Sequence, residues 1–452
     1  MFELGRELRR FFGADSERTS MDGLTGGDSS LLELLDARLL AQEAKACDIA
    51  AGRIGARDKP SRRLEAAIVW REVARRTGDP VALRKAAAAA ETAAAGFEAA
   101  GRKDGWARAR CEQALNGLLG AEIFGDPGLE AAAEIAFRDA RSSVKGGLAA
   151  AMADVGLAAI AARRRLGQGS SEEARRMLAA FDAPITALDG VAKRVPAARA
   201  VAAEARLIRA DLMSAWGAAL KDGDLLDAAA RQAAEAAERV DEAYEPLTWA
   251  RAKVVHGQAL AAKGEVIGDV DRLAAGAGAL ALALDNLTRD HSPLDWARTQ
   301  VSLGQALQAL GESSQDARAF DHAVSCYDRA GHVLKTQPGL PLRGQAAGAR
   351  AVCLVRTAEI TGDRAVLDAA EEAMKIELAK LSPGRDPVGW GLAQMHLARL
   401  YEARLDMTGV DKGERAAALI ALDAALDVFG EHGQRSLSVL ASEAMLRLRR
   451  GA

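Results

Sequence analysis

The sequence predicts an all-α fold, an α-solenoid of about eight stacked helical hairpins, and three observations carry that prediction. The first is composition: about 103 of the 452 residues are Ala, 49% are hydrophobic, 4% are aromatic and 11 are Pro. Ala, Leu, Arg and Glu are ordered into helix at least cost. A β-sandwich or barrel needs frequent turn residues and β-branched or aromatic strand faces, which are scarce here. The second is a period. The stretch Pro246-Leu247-Thr248-Trp249-Ala250-Arg251, with Gly257-Gln258-Ala259-Leu260 behind it, returns 47 residues later as Pro293-Leu294-Asp295-Trp296-Ala297-Arg298 with Gly304-Gln305-Ala306-Leu307. Related copies start at Pro341 and at Pro387 with Trp390, and Pro196 stands 50 residues before Pro246. The third is a Gly-Asp pair that keeps step with the prolines, at Gly78, Gly125, Gly223, Gly268 and Gly362, with altered turn chemistry near Gly169-Ser170 and Ser314 to Asp316.

Each period reads as two helices. Proline suits the first turn of helix A, where its missing N–H has no intrahelical partner to lose. Trp296, Val301, Leu303, Leu307 and Leu310 then recur at helical spacing on one broad face. Gly264 and Gly311 are expected to close their A helices as C-caps. Asp at the end of the turn is expected to cap helix B, as Asp79 and Asp126 do before Pro80 and Pro127. Helix A is expected to start near residues 61, 104, 147, 196, 246, 293, 341 and 387, and a last helix to run from Gln434 to Arg450. The expected organisation is an N-terminal amphipathic helix with a flexible linker (1–30), a capping helix (31–60), the repeat array (61–430) and a C-terminal capping helix (431–452). Ala and Gly are expected where stacked helices approach closely.

The best copy carries Trp296, Leu303-Gly304 and Leu307, then Ala323, Tyr327 and Ala330 in helix B, and a weaker helix-B copy has Ala418, Leu422 and Ala425. With these motifs the chain resembles the tetratricopeptide-repeat family, in a bacterial-type variant whose period is about 47 rather than 34 residues and whose helix A is about one turn longer. The likeness is strong over residues 246–430 and weaker, but in phase, over 61–245. It implies a right-handed superhelix whose concave wall, built mainly of A helices, holds a peptide or partner domain. It also implies that Arg298, Gln305 and Gln308, with Arg251 and Gln258 one repeat earlier, face that groove. The recurring Trp-Ala-Arg triplet adds Arg108, making a ladder of guanidiniums able to pair with carboxylates. An alternative for these arginines is that they face solvent or pair with acidic residues of the next repeat. The Lys and Asn residues of the family's clamp for C-terminal carboxylates are missing from these positions.

Little in the chain points to catalysis. No phosphate-binding loop, dinucleotide fingerprint, H-E-x-x-H or G-x-S-x-G motif is present. His322 and Cys326, four apart, would share a helix face as half of a metal or thiol–imidazole pair, but nothing nearby completes the set. Neither an enzyme nor a cofactor or metal is therefore expected. A net charge of −3 offers no basic footprint for nucleic acid. Four dispersed cysteines suggest buried thiols in a cytoplasmic protein. No signal sequence or membrane span is expected, since Glu3, Arg6, Glu7, Arg9 and Arg10 interrupt the first twelve residues and Asp154 the most apolar stretch. Phe2, Leu8, Phe11 and Phe12 form a candidate docking helix for a partner groove or a membrane surface, though a charge of +1 attracts anionic lipid only weakly. The expected function is a non-enzymatic scaffold or adaptor that binds a protein or peptide, with recruitment through that helix as the alternative.

Overall fold

The computed structural model describes residues 30–53, 58–194, 198–335, 340–384 and 386–450, and among them every regular element is helical. The chain divides into two compact units, one ending at Thr299 and the other starting at Gln300. The first opens with a single 3₁₀ turn, Ser30–Leu34, and helix α1 (Ala37–Gly52). Five hairpins follow. They are α2 (Lys59–Thr77) with α3 (Pro80–Ala99), α4 (Lys103–Phe124) with α5 (Pro127–Ser143), α6 (Leu148–Arg164) with α7 (Ser171–Ala179) and α8 (Asp182–Ala192), α9 (Ala198–Leu220) with α10 (Gly223–Glu238), and α11 (Pro246–Ile267) with α12 (Val270–Ala283). The boundary between units falls inside α13 (Pro293–Ser314). The second unit continues with α14 (Ala317–Leu334), α15 (Pro341–Thr361), α16 (Arg364–Leu378), α17 (Pro387–Thr408), α18 (Glu414–Glu431) and α19 (Arg435–Arg450). None of the described helices is long and apolar enough to cross a membrane.

The turns obey simple chemistry. Where Gly-Asp recurs, Gly takes a left-handed conformation that ends helix A, with φ of 70° at Gly78 and Gly125, 69° at Gly268 and 72° at Gly362. Only a residue without Cβ does so at no steric cost. The Asp behind it turns its carboxylate onto the first free amides of helix B, as Asp79 does to Val81 (2.8 Å), Asp126 to Gly128 (2.8 Å) and Asp363 to Ala365 (2.9 Å).

Three expectations need correction. Gly264 and Gly311 do not end their helices, because α11 runs on to Ile267 and α13 to Ser314. They lie inside, where a Cβ on Gly264 would meet the Leu273 amide at 2.8 Å and one on Gly311 the Phe320 ring at 3.0 Å. At residue 223 the Gly-Asp pair lies two positions late: Lys221 takes the left-handed turn at φ 53° and Asp222 is the cap. Third, helix B of the third repeat is broken between Ala179 and Asp182, where Phe181 is fully buried among Trp216, Leu178 and Leu188.

Close helix approach explains much of the Ala and Gly. Ala229, Ala233, Ala250, Ala252 and Ala259 are all inaccessible. Where backbone meets backbone, a Cβ on Gly276 would lie 2.7 Å from both the Gly257 carbonyl and the Ala261 amide. Volume is supplied by aromatic residues of the B helices, with Phe97, Phe137, Phe320, Tyr327 and Phe429 all nearly or fully buried.

Candidate functional site

The inner face of α2 starts the site of the first unit. Arg71 and Arg75 are four apart and share a face. Glu72 and Arg76 stand beside them with 3% and 0% of their surface exposed. Glu72 accepts from Arg75 at 2.8 Å and from Arg76 at 2.6 Å, and Arg251 of α11 approaches to 3.8 Å. Burial alone would push the Glu72 carboxyl up, but the three guanidiniums outweigh it and hold this group well below the usual carboxylate range. Arg71 turns to Glu112 of α4 at 2.8 Å.

Further ion pairs join helices far apart in sequence. Arg75 meets Glu204 of α9 at 3.6 Å, and Arg298 of α13 meets Glu122 of α4 at 2.8 Å. Arg251 donates to Asp295 at 2.6 and 3.1 Å, and the Ser292 hydroxyl donates to the same carboxylate at 2.8 Å. Burial raises Asp295, yet Arg251, Arg75 and Arg298 together keep it below its ordinary value.

These A-helix faces surround a cavity of about 340 Å³. Apolar side chains line it, among them Leu115, Leu118, Met152, Val155, Val201, Ile208 and Val254, together with the charged groups of the same helices. Arg163 and Asp211 also line it, and neither side chain forms a hydrogen bond or ion pair among the described residues. Asp211 is pushed up by burial first and by Glu122 second, against the pull of Arg163 and Arg298. A cavity of this size and make-up suits a small amphipathic molecule or a few residues of extended chain.

The structure sorts the residues expected from the repeat. Arg251, Gln258 and Arg298 line the cavity. Arg108 does not: it is 7% exposed, contacts the Met152 sulfur and approaches Glu112 at 4.0 Å. Gln305 and Gln308 belong to the second unit, the first exposed and the second accepting from the Tyr327 hydroxyl at 3.2 Å. The guanidinium ladder is therefore not a free row, since Arg251 and Arg298 already pair with carboxylates. Phe2, Leu8, Phe11 and Phe12 lie outside the described residues. His322 and Cys326 lie four apart on α14, the first exposed and the second 4% exposed. Among the described residues no group of three or more His, Cys, Asp or Glu could hold a metal ion.

No family model matches the chain, and no curated protein does. Among solved structures, a Rap protein complexed with competence and sporulation factor is 10% identical, over 87% of this chain and 99% of that one, with a TM-score of 0.45. A circular tandem repeat protein with novel repeat topology and enhanced subunit contact surfaces is 16% identical, over 92% and 97%, with a TM-score of 0.29. The chain is a helical repeat protein. Both likenesses are remote, and any functional reading stands on the cavity.

The residues missed in the sequence are the acidic partners. Glu72, Glu122, Glu204, Asp211 and Asp295 meet or face arginines from other repeats, and no local spacing marks them. The last missed residue, Glu33, comes from the 3₁₀ turn before the first helix and also lines the cavity.

Proposed function

We propose that this is a non-enzymatic, cytoplasmic interaction scaffold of the long-repeat tetratricopeptide type, whose first unit receives a short segment of a partner protein in its cavity. One observation carries the reading: the inward faces of five A helices and the start of a sixth leave a space lined by apolar side chains and by charged groups instead of packing shut. Apolar area supplies affinity there, while paired arginines and carboxylates hold the walls apart and set orientation. About 340 Å³ is too small for a folded domain and takes a few residues of extended chain, the occupant we propose. The domain limits expected from the repeat fit this reading, with the array from about residue 61 forming the wall.

Filling the space tests it. Ala200, half-buried, lines the cavity, and Ala200→Trp projects an indole into it. Proteins recovered on the wild-type chain from native lysate should be lost on the variant while its circular dichroism is unchanged. Equal recovery on both chains would refute the cavity as the binding site.

A further inference from the structure

The turn Ser30–Leu34 is not part of any hairpin, yet its Glu33 lines the cavity of the first unit. Glu33 is 2% exposed. Its carboxylate accepts from the backbone amides of Leu247 at 2.8 Å and Thr248 at 2.9 Å, and from the Thr248 hydroxyl. Those amides are the unpaired donors of the first turn of α11, which its own N-cap residue leaves free. Glu245 makes no capping bond and is instead engaged by Arg199 (3.1 Å) and the Asp241 amide (3.1 Å). A carboxylate 214 positions upstream in sequence thus does the work of a local cap.

The rest of the segment is bound as a peptide ligand would be, through side chains and backbone carbonyls. Leu32 is fully buried, and Arg76 donates to the carbonyls of Leu32 (2.9 Å) and Leu35 (2.8 Å). Arg251 acts on Glu33 electrostatically, and its Nη1 is buried without a hydrogen-bond partner among the described residues. The Glu33 carboxyl is nevertheless raised, because burial outweighs Arg251 and the Thr248 bonds. Holding this charge inside therefore consumes part of what its bonds provide.

Resting on the cavity as the binding site, we infer that Ser30–Leu34 and the two residues after it are a built-in occupant of that site, and that the partner it accepts is an acidic, leucine-rich peptide competing for the Leu247 and Thr248 amides and Arg251. Tethering explains how a modest set of contacts keeps the segment in place, since an attached ligand acts at an effective concentration near ~1 mM. An incoming peptide wins by also binding the apolar side chains of the cavity, none of which this turn supplies.

The test uses the full chain and a fluorescent peptide with the sequence of Ser30 to Arg38. Against wild-type protein the peptide should bind at least tenfold more weakly than against Glu33→Ala. A peptide carrying Gln in place of its Glu should lose that gain. Hydrogen exchange over residues 246–252 should speed up at least tenfold in Glu33→Ala and slow again when the peptide is added. Glu33→Gln, which keeps the shape and one acceptor oxygen, serves in the same assay if the alanine variant fails to fold. Equal binding to wild-type and variant chains, no binding to either, or indifference to Glu against Gln in the peptide would each overturn the inference. Failure here with partner loss in Ala200→Trp removes the built-in occupant and leaves the cavity reading; retention of the partner in Ala200→Trp removes the cavity reading itself.

Discussion

Arg76→Met is the sharpest perturbation of the first unit. Methionine keeps most of the apolar stem and deletes the guanidinium, so the change is polar rather than steric. Arg76 is fully buried and makes three bonds, to Glu72 at 2.6 Å and to the Leu35 and Leu32 carbonyls at 2.8 and 2.9 Å. Leaving a buried acceptor unpaired costs about 1–3 kcal/mol, and two carbonyls are affected. Breaking a buried ion pair outright costs about 3–5 kcal/mol. Here that cost is smaller, because Arg75 stays within 2.6 Å of Glu72 and the desolvation of Arg76 is relieved. A net loss of about 3–4 kcal/mol follows. Urea unfolding followed by tryptophan fluorescence reads it well, since Trp70, Trp106, Trp216, Trp249 and Trp296 belong to the first unit and Trp390 alone to the second. Arg102→Met is the control: its pair with Asp58 is about half exposed on both sides, and its loss should cost less than about 1 kcal/mol. If Arg76→Met costs no more than this control, the N-terminal turn is not held through Arg76.

Two glycines of α12 should respond in opposite directions. Gly276→Ala pushes a methyl against backbone atoms at 2.7 Å and should destabilise by about 1–3 kcal/mol, whereas Gly278, exposed with nothing within 4 Å, should gain about 0.5–1 kcal/mol as Ala; urea midpoints compare them. Burial pushes the thiols of Cys47 up to about 11 and of Cys111 and Cys353 up to about 12, with Cys326 raised as well. At pH 8 a disulfide reagent should label the native chain at least ~100-fold more slowly than the chain in urea, and fast native labelling would contradict the burial. In the second unit, burial pushes His396 down to about 4, where a Cβ on Gly348 would lie 2.7 Å from its ring nitrogen. A depressed histidine is neutral when folded and protonates more readily when unfolded. Its stabilising contribution is therefore complete above about pH 6.5 and is lost as pH falls to about 4, by at most ~3 kcal/mol. Denaturation of wild type and His396→Gln at pH 7 and pH 5 should show the smaller pH effect in the variant.

The repeat was legible because proline and glycine have few uses in a helix. Pro246, Pro293, Pro341 and Pro387 are each the first residue of their A helix, as read. The misreadings come from letters with two meanings. Gly264 and Gly311 serve close packing, not termination, and the same letter codes for both. At Lys221 and Gln315 the left-handed turn is made without glycine; the period alone located the second, at Ser314 to Asp316, while Gly223 drew attention away from the first. Arg251, Gln258 and Arg298 were singled out through the family resemblance, and all three line the cavity. Their carboxylate partners were not singled out, since Arg298 and Glu122 meet across 176 positions of chain, a separation no local pattern encodes. Glu33 was hidden for the same reason: its target is the first turn of α11, and the sequence around it reads only as leucine-rich.

Photo-cross-linking from inside the cavity tests the central claim most directly. p-Benzoylphenylalanine at Ile208, on the cavity wall, should trap the partner segment, and the same group at Ile135, 58% exposed on α5, should not. A partner captured from Ile135 but not from Ile208 would place binding on the outside of the array and contradict the cavity as its site.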